Sequence, residues 1–153
     1  MKNLLLCFII FVSFSNTSCT SPKIIGLKEN NKFIIQGHLL KIKKDWKQIL
    51  EEQKINTLLT NFTIESGKDS NIPDKIYYML VGTDKENTIK VANLLQLKNG
   101  RFSLSPKTKT TAGEGIIICR GCSSGCGPQR LENRWICAPG CGLNCTKSIT
   151  VKF

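Results

Sequence analysis

Six of the eight cysteines of this 153-residue chain fall in one stretch: Cys119, Cys122, Cys126, Cys137, Cys141 and Cys145. Thiols so grouped can hold zinc or an iron–sulfur cluster, exchange disulfides, or pair for good. The spacing is C-x2-C-x3-C, ten residues, then C-x3-C-x3-C. A four-thiolate zinc site from Cys119, Cys122, Cys137 and Cys141 would leave Cys126 and Cys145 over. The bacterial ferredoxin spacing is absent. Cys119-Arg-Gly-Cys122 is formally a redox C-x-x-C. Ser123, Ser124 and Gly125 follow it, however, and they do not open the helix that lowers the first thiol's pKa. Gly121, Gly125, Gly127, Gly140, Gly142, Pro128 and Pro139 make the stretch loop-rich. It has too little apolar surface to order itself and needs cross-links. The expected state is therefore three structural disulfides, with no metal and no cofactor. The alternative is an envelope zinc-binding or thiol redox protein using the same cysteines. Six cysteines allow 15 pairings. If "GIIIC" and "RWIC" are neighbouring strands, cysteines of the first group pair with those of the second. Trp135 is expected to cover the disulfides as a small core, or else to offer a platform for a sugar or peptide.

The other end of the chain bears on the state of these thiols. "MKNLLLCFIIFVSFSNTSC" has a basic Lys2, an apolar run from Leu4 to Phe14 and a short polar stretch before Cys19. That is the layout of a signal peptide. The run is far shorter than the roughly 20 residues of a spanning helix. These residues resemble a bacterial lipoprotein signal peptide, with small Thr17 and Ser18 before Cys19, and Asn16 where the pattern usually has Leu. The resemblance implies a diacylglyceryl group on the Cys19 sulfur and a mature N-terminus there. Cleavage by the ordinary signal peptidase near Ser15 or Ser18 is the competing route. Parity agrees with lipidation: once Cys7 is removed and Cys19 carries lipid, six cysteines remain, and six can pair completely. An exported chain also meets an oxidising compartment. The C-terminal "CRGCSSGCGP", "RWIC" and "TKSITV" resemble the tails of small lipoproteins of Gram-negative bacteria, a family with no activity to carry over. Thr20, rather than Asp, after the anchor favours the outer membrane, by analogy with lipoproteins that use Asp there as a retention signal.

The formal net charge is +11, carried by 18 Lys and only 4 Arg, beside 18 Ile and 12 Asn. Arg is the usual residue for bidentate phosphate and guanine contacts. Its scarcity, with no recognition motif, argues against nucleic acid. A solvated Lys-rich surface is the simpler account, and a surface facing an anionic membrane is the functional one.

Between the two ends the pattern reads as α+β: a small antiparallel sheet with one main helix, followed by a disulfide-rich C-terminal β module. The boundaries are a signal peptide at 1–18, a tether at 19–31, an α+β domain at 32–106, a linker at 107–114 and the cysteine module at 115–153. Asp45 is the expected N-cap of a helix from about Trp46 to Leu59, with Trp46, Ile49, Leu50, Leu58 and Leu59 on its core face. "KFIIQG", "NFTIES" and "KIYYMLVG" read as strands. "TIKVANLLQL" fits strand alternation better than helix, because Asn99-Gly100 follows it as a hairpin signal. The linker "PKTKTTAGEG" is expected to separate two independent cores.

Catalytic signatures are missing. His38 is the single histidine, Glu51 and Glu52 do not face each other on a helix, and no nucleophile elbow, P-loop or H-E-x-x-H occurs. The function expected is that of a non-enzymatic, lipid-anchored protein of the bacterial cell envelope, of binding or structural type. Its partners are the membrane through the lipid and an unidentified protein or glycan, and not nucleic acid.

Overall fold

The computed structural model describes residues 23–37, 39–72, 74–105, 115–123, 126–138 and 145–150. The expected signal peptide at 1–18, Cys19, His38, the expected linker at 107–114 and Cys141 lie outside the described residues. Among those described, the chain forms ten strands and one helix. The strands are β1 (Ile24–Glu29), β2 (Lys32–Ile35), β3 (Leu59–Lys68), β4 (Ile76–Asp84), β5 (Ile89–Lys98), β6 (Arg101–Leu104), β7 (Ile116–Arg120), β8 (Gly127–Leu131), β9 (Arg134–Ala138) and β10 (Thr146–Thr150). Helix α1 (Leu39–Glu52) lies between β2 and β3.

Eight of the strands form a single antiparallel sheet. Strand β5 is its axis. One edge of β5 pairs with β4, which pairs in turn with β3. The other edge is shared by two strands. Leu95–Lys98 pair with β6, and Ile89–Ala92 pair with β7. Beyond β6 lie β1 and then β2, and beyond β7 lies β10. The sheet curls until β2 comes alongside β3, so that it nearly closes as a barrel. At that closure a Cβ on Gly26 would run into the Ile34 carbonyl of β2 and the Ile64 side chain of β3. Only glycine lets the strands come so close.

The expected α+β class is therefore overturned: the chain is mostly β, with one helix lying against a nearly closed sheet. Several boundaries move with it. The segment assigned to the tether contains β1, an internal strand with Ile25 only 1% exposed. The helix begins well before Asp45, which sits inside it, and ends before Leu58 and Leu59. Leu58 is 66% exposed, and Leu59 starts β3. The stripe Trp46, Ile49, Leu50 is buried as expected, joined by Ile42. Trp46 stacks on Phe62, and Gly82 makes room, because a Cβ there would meet both rings at 2.9 Å. "TIKVANLLQL" is β5, and its turn is a two-residue hairpin with φ 51° at Asn99 and 73° at Gly100. Asn30–Asn31 and Glu132–Asn133 are two further two-residue turns with positive φ at both positions. Asn takes this conformation readily, so the "ENN" placed in a tether is in fact the β1–β2 turn.

The sheet is apolar on both faces. Inside the barrel, Ile25, Ile64, Leu80, Val91, Leu95, Phe102 and Ile118 pack with Ile42, Trp46, Ile49 and Leu50 of the helix. Alternate residues of the same strands (Met79, Val81, Ala92, Ile117 and Cys119) face the opposite way and pack with Cys126 and Trp135. The expected body and cysteine module thus share β5 and its neighbours, and the linker does not divide two cores.

Candidate functional site

The six-cysteine stretch supplies strands β7 to β10, and its chemistry depends on how they are held. Hairpin β8–β9 forms a two-stranded sheet of its own. It shares with β4, β5 and β7 the second apolar cluster, outside the barrel. Two disulfides bind it there. Cys119 of β7 joins Cys137 of β9, with 5.6 Å between Cα atoms. Cys126, just before β8, joins Cys145, just before β10, at 5.7 Å. Cys122 is also disulfide-bonded. Both assigned bridges link the first cysteine group to the second, as expected, but for a different geometric reason. β7 and β9 are not neighbours in one sheet. They belong to different sheets, and the Cys119–Cys137 bridge joins one to the other.

Trp135 is fully buried in this second core, and its indole N–H donates to the Gly115 carbonyl at 3.0 Å. It is a core residue beside the disulfides and offers no open platform. The Arg130 guanidinium lies 5.1 Å from the Trp135 ring centroid and donates to the Asn133 carbonyl. Such a cation–π contact keeps a charged group tolerable at 6% exposure.

A second clamp was not foreseen. Asp69, in the β3–β4 connection, is 5% exposed and accepts the turn N–H groups of Glu132 at 2.8 Å and Asn133 at 2.9 Å. Asn71 Nδ2 donates to Glu132 Oε1, and Lys75 Nζ to Asn133 Oδ1. The Tyr77 hydroxyl accepts from the Arg130 N–H at 3.2 Å. Glu132 has φ 50°, unfavourable for a residue with a long side chain, and the Asp69 carboxylate holds the turn in that shape. The Asn133 N–H, with help from those of Glu132 and Asn71, keeps the Asp69 carboxyl below its ordinary 3.8 despite opposing desolvation. Burial pushes the Tyr77 phenol up. Nothing in the pattern around "GKDSNIPD" marks Asp69, because the turn it clamps stands more than 60 residues away.

The clamp has a pH signature. A carboxyl with a lowered folded pKa stabilises the fold above its unfolded value, and that stability is lost as pH falls through the folded value. Asp69→Asn is expected to lower the denaturation midpoint at neutral pH, since the amide nitrogen meets one of the two donors. The gap from wild type should begin to narrow as the pH falls below 3.8 and go on narrowing towards the lower folded value. Denaturant titrations at about pH 7 and about pH 2.5 check this. A gap of constant size would exclude the charged clamp.

What this arrangement can do chemically is limited. Sulfurs held in disulfides are neither nucleophiles nor zinc ligands, and Cys119 and Cys137, half of the zinc set weighed above, are joined to each other. Cys141 and Cys19 lie outside the described residues.

No known protein family, curated protein or solved structure matches this chain.

Function must therefore be argued from its own geometry. A cleft between the end of α1 and the β7–β10 pair is lined by Gln53, Ile55, Ile118, Arg120, Thr146 and Ser148. It encloses about 120 Å³. Sites for metabolite-sized ligands run to roughly 300–1,000 Å³, so this cleft is too small to be a substrate pocket.

Proposed function

We propose that this is a non-enzymatic, lipid-anchored protein of the bacterial cell envelope, attached through Cys19 to the outer membrane and of binding or structural type. The observation that carries the reading is the pairing Cys119–Cys137 and Cys126–Cys145 in a segment that follows a signal-peptide-like N-terminus. Persistent structural disulfides belong to exported proteins. With Cys122 also bonded, none of the five described cysteines offers the free thiolate that the competing metal reading needs. Lipid on Cys19 then leaves the chain without an odd thiol.

The anchor is tested by metabolic labelling with a fatty acid. Cys19→Ala is expected to lose all label and to leave the membrane fraction for the soluble one. Label retained on the Ala variant would show that Cys19 is not the acceptor.

A further inference from the structure

We infer that the end of the barrel at which β1 begins is a membrane-contact surface. Leu40 would reach into the interface there, and Lys23, Lys41 and Lys44 would meet anionic phospholipid headgroups. The inference rests on the reading of Cys19 as the lipid anchor. Lys23 is the first described residue and stands four positions after Cys19 (23 − 19). Even fully extended, four residues reach only about 14 Å. With so short a leash the start of β1 is held against the headgroup layer.

The helix N-terminus sits at this same end. Ile35 pairs with Gly26, and the Gln36 N–H donates to the Ile25 carbonyl at 2.8 Å, three residues before α1 starts. Leu40 there is 86% exposed, the most open of the large hydrophobic side chains among the described residues. A single exposed leucine means little by itself, but its surroundings are unusual. The first turn of α1 has no acidic residue and carries Lys41, with Lys43 and Lys44 following. Lys43 lies over the Phe62 ring at 5.0 Å, but cations near a helix N-terminus oppose the macrodipole, which leaves Lys41 and Lys44 unexplained by the helix itself. Lys41 reaches Asp45 only in an exposed pair at 3.7 Å, a weak contact. Lys44 and Lys23 make no ion pair among the described residues. Leu40 and Lys44 are one turn apart on the face opposite Ile42, Trp46 and Ile49. An apolar tip flanked by lysines suits the boundary of an anionic bilayer.

The test places a photo-crosslinking amino acid at position 40 or 76 of the full-length lipidated protein. Ile76 is also well exposed, at 54%, but it begins β4, which runs antiparallel to β1 and so starts at the opposite end of the sheet. The protein is reconstituted in vesicles of phosphatidylglycerol with phosphatidylethanolamine, or of phosphatidylcholine alone. In the anionic vesicles, phospholipid adducts at 40 are expected to exceed those at 76 at least about fivefold. Phosphatidylcholine alone, or the pair Lys41→Glu and Lys44→Glu, should lower the yield at 40 about threefold or more. Equal yields at 40 and 76, or a yield at 40 indifferent to lipid charge, overturn the contact surface. Lipid label on Cys19 is read in the same samples. Label present without adducts at 40 rejects the surface and leaves the anchor standing, whereas absence of label rejects the anchor and this inference with it.

Discussion

Deleting residues 115–153 is expected to abolish the cooperative unfolding of everything before them. β7 occupies the edge of β5 from Ile89 to Ala92, so its loss leaves those backbone groups unpaired. Ile118, 1% exposed, leaves the barrel core beside Val91, and the fully buried Ile117 and Trp135 leave the other face. Each large buried apolar side chain is worth about 1.5–3 kcal/mol. Three of them approach the roughly 5–15 kcal/mol that stabilise a whole domain. Met79, Val81 and Ala92 would also be uncovered, making an apolar patch on a sheet with a new open edge, and such surfaces associate. Thermal denaturation of the truncated chain, followed by circular dichroism, checks this. A sharp transition in the truncated chain would show that the barrel closes without β7.

Reduction is the second large perturbation. The assigned bridges close loops with sequence separations of 18 and 19, and loops of that size are worth about 3 kcal/mol each in the chain-entropy picture. Reducing the protein is expected to release hairpin β8–β9, with only the Asp69 clamp and the Trp135 contacts left to hold it. Trp135 emission should shift to the red, while Trp46, 2% exposed in the barrel core, changes only if the whole sheet opens. Intact mass, with lipid subtracted, should rise by six hydrogens, one for each cysteine from Cys119 to Cys145. Peptide mapping under oxidising conditions should find Cys119 with Cys137 and Cys126 with Cys145. With those four assigned and Cys122 bonded, Cys141 is its expected partner. A smaller mass change, or stoichiometric zinc on protein purified without reductant, would return the cysteines to metal chemistry.

The local pattern determined a good deal by itself. Alternation along Ile89, Val91, Leu95 and Leu97 marks β5, Asn99-Gly100 marks its turn, and the spacing of Trp46, Ile49 and Leu50 marks the buried face of the helix. Clustered thiols among glycines and prolines called for disulfides, because a segment with so little apolar surface needs cross-links to be ordered. These features are legible because each depends on neighbours a few residues away.

What the tertiary structure alone decided is how the pieces combine. Ile24 and Ile25 look like a hydrophobic patch in a polar tether until β6 and β2 flank them. "GIIIC" carries apolar residues at successive positions because both of its faces are covered, by the barrel core and by the stapled hairpin, a fact that no alternation rule reveals. A polar linker such as 107–114 says nothing about where the next strand pairs, and here β7 continues along the edge of β5 that β6 began. Asp69 was invisible for the same reason. The donors that give a buried carboxylate its role belong to a turn more than 60 residues away, and only packing of hairpin β8–β9 on the outer face of the sheet brings them within hydrogen-bond reach.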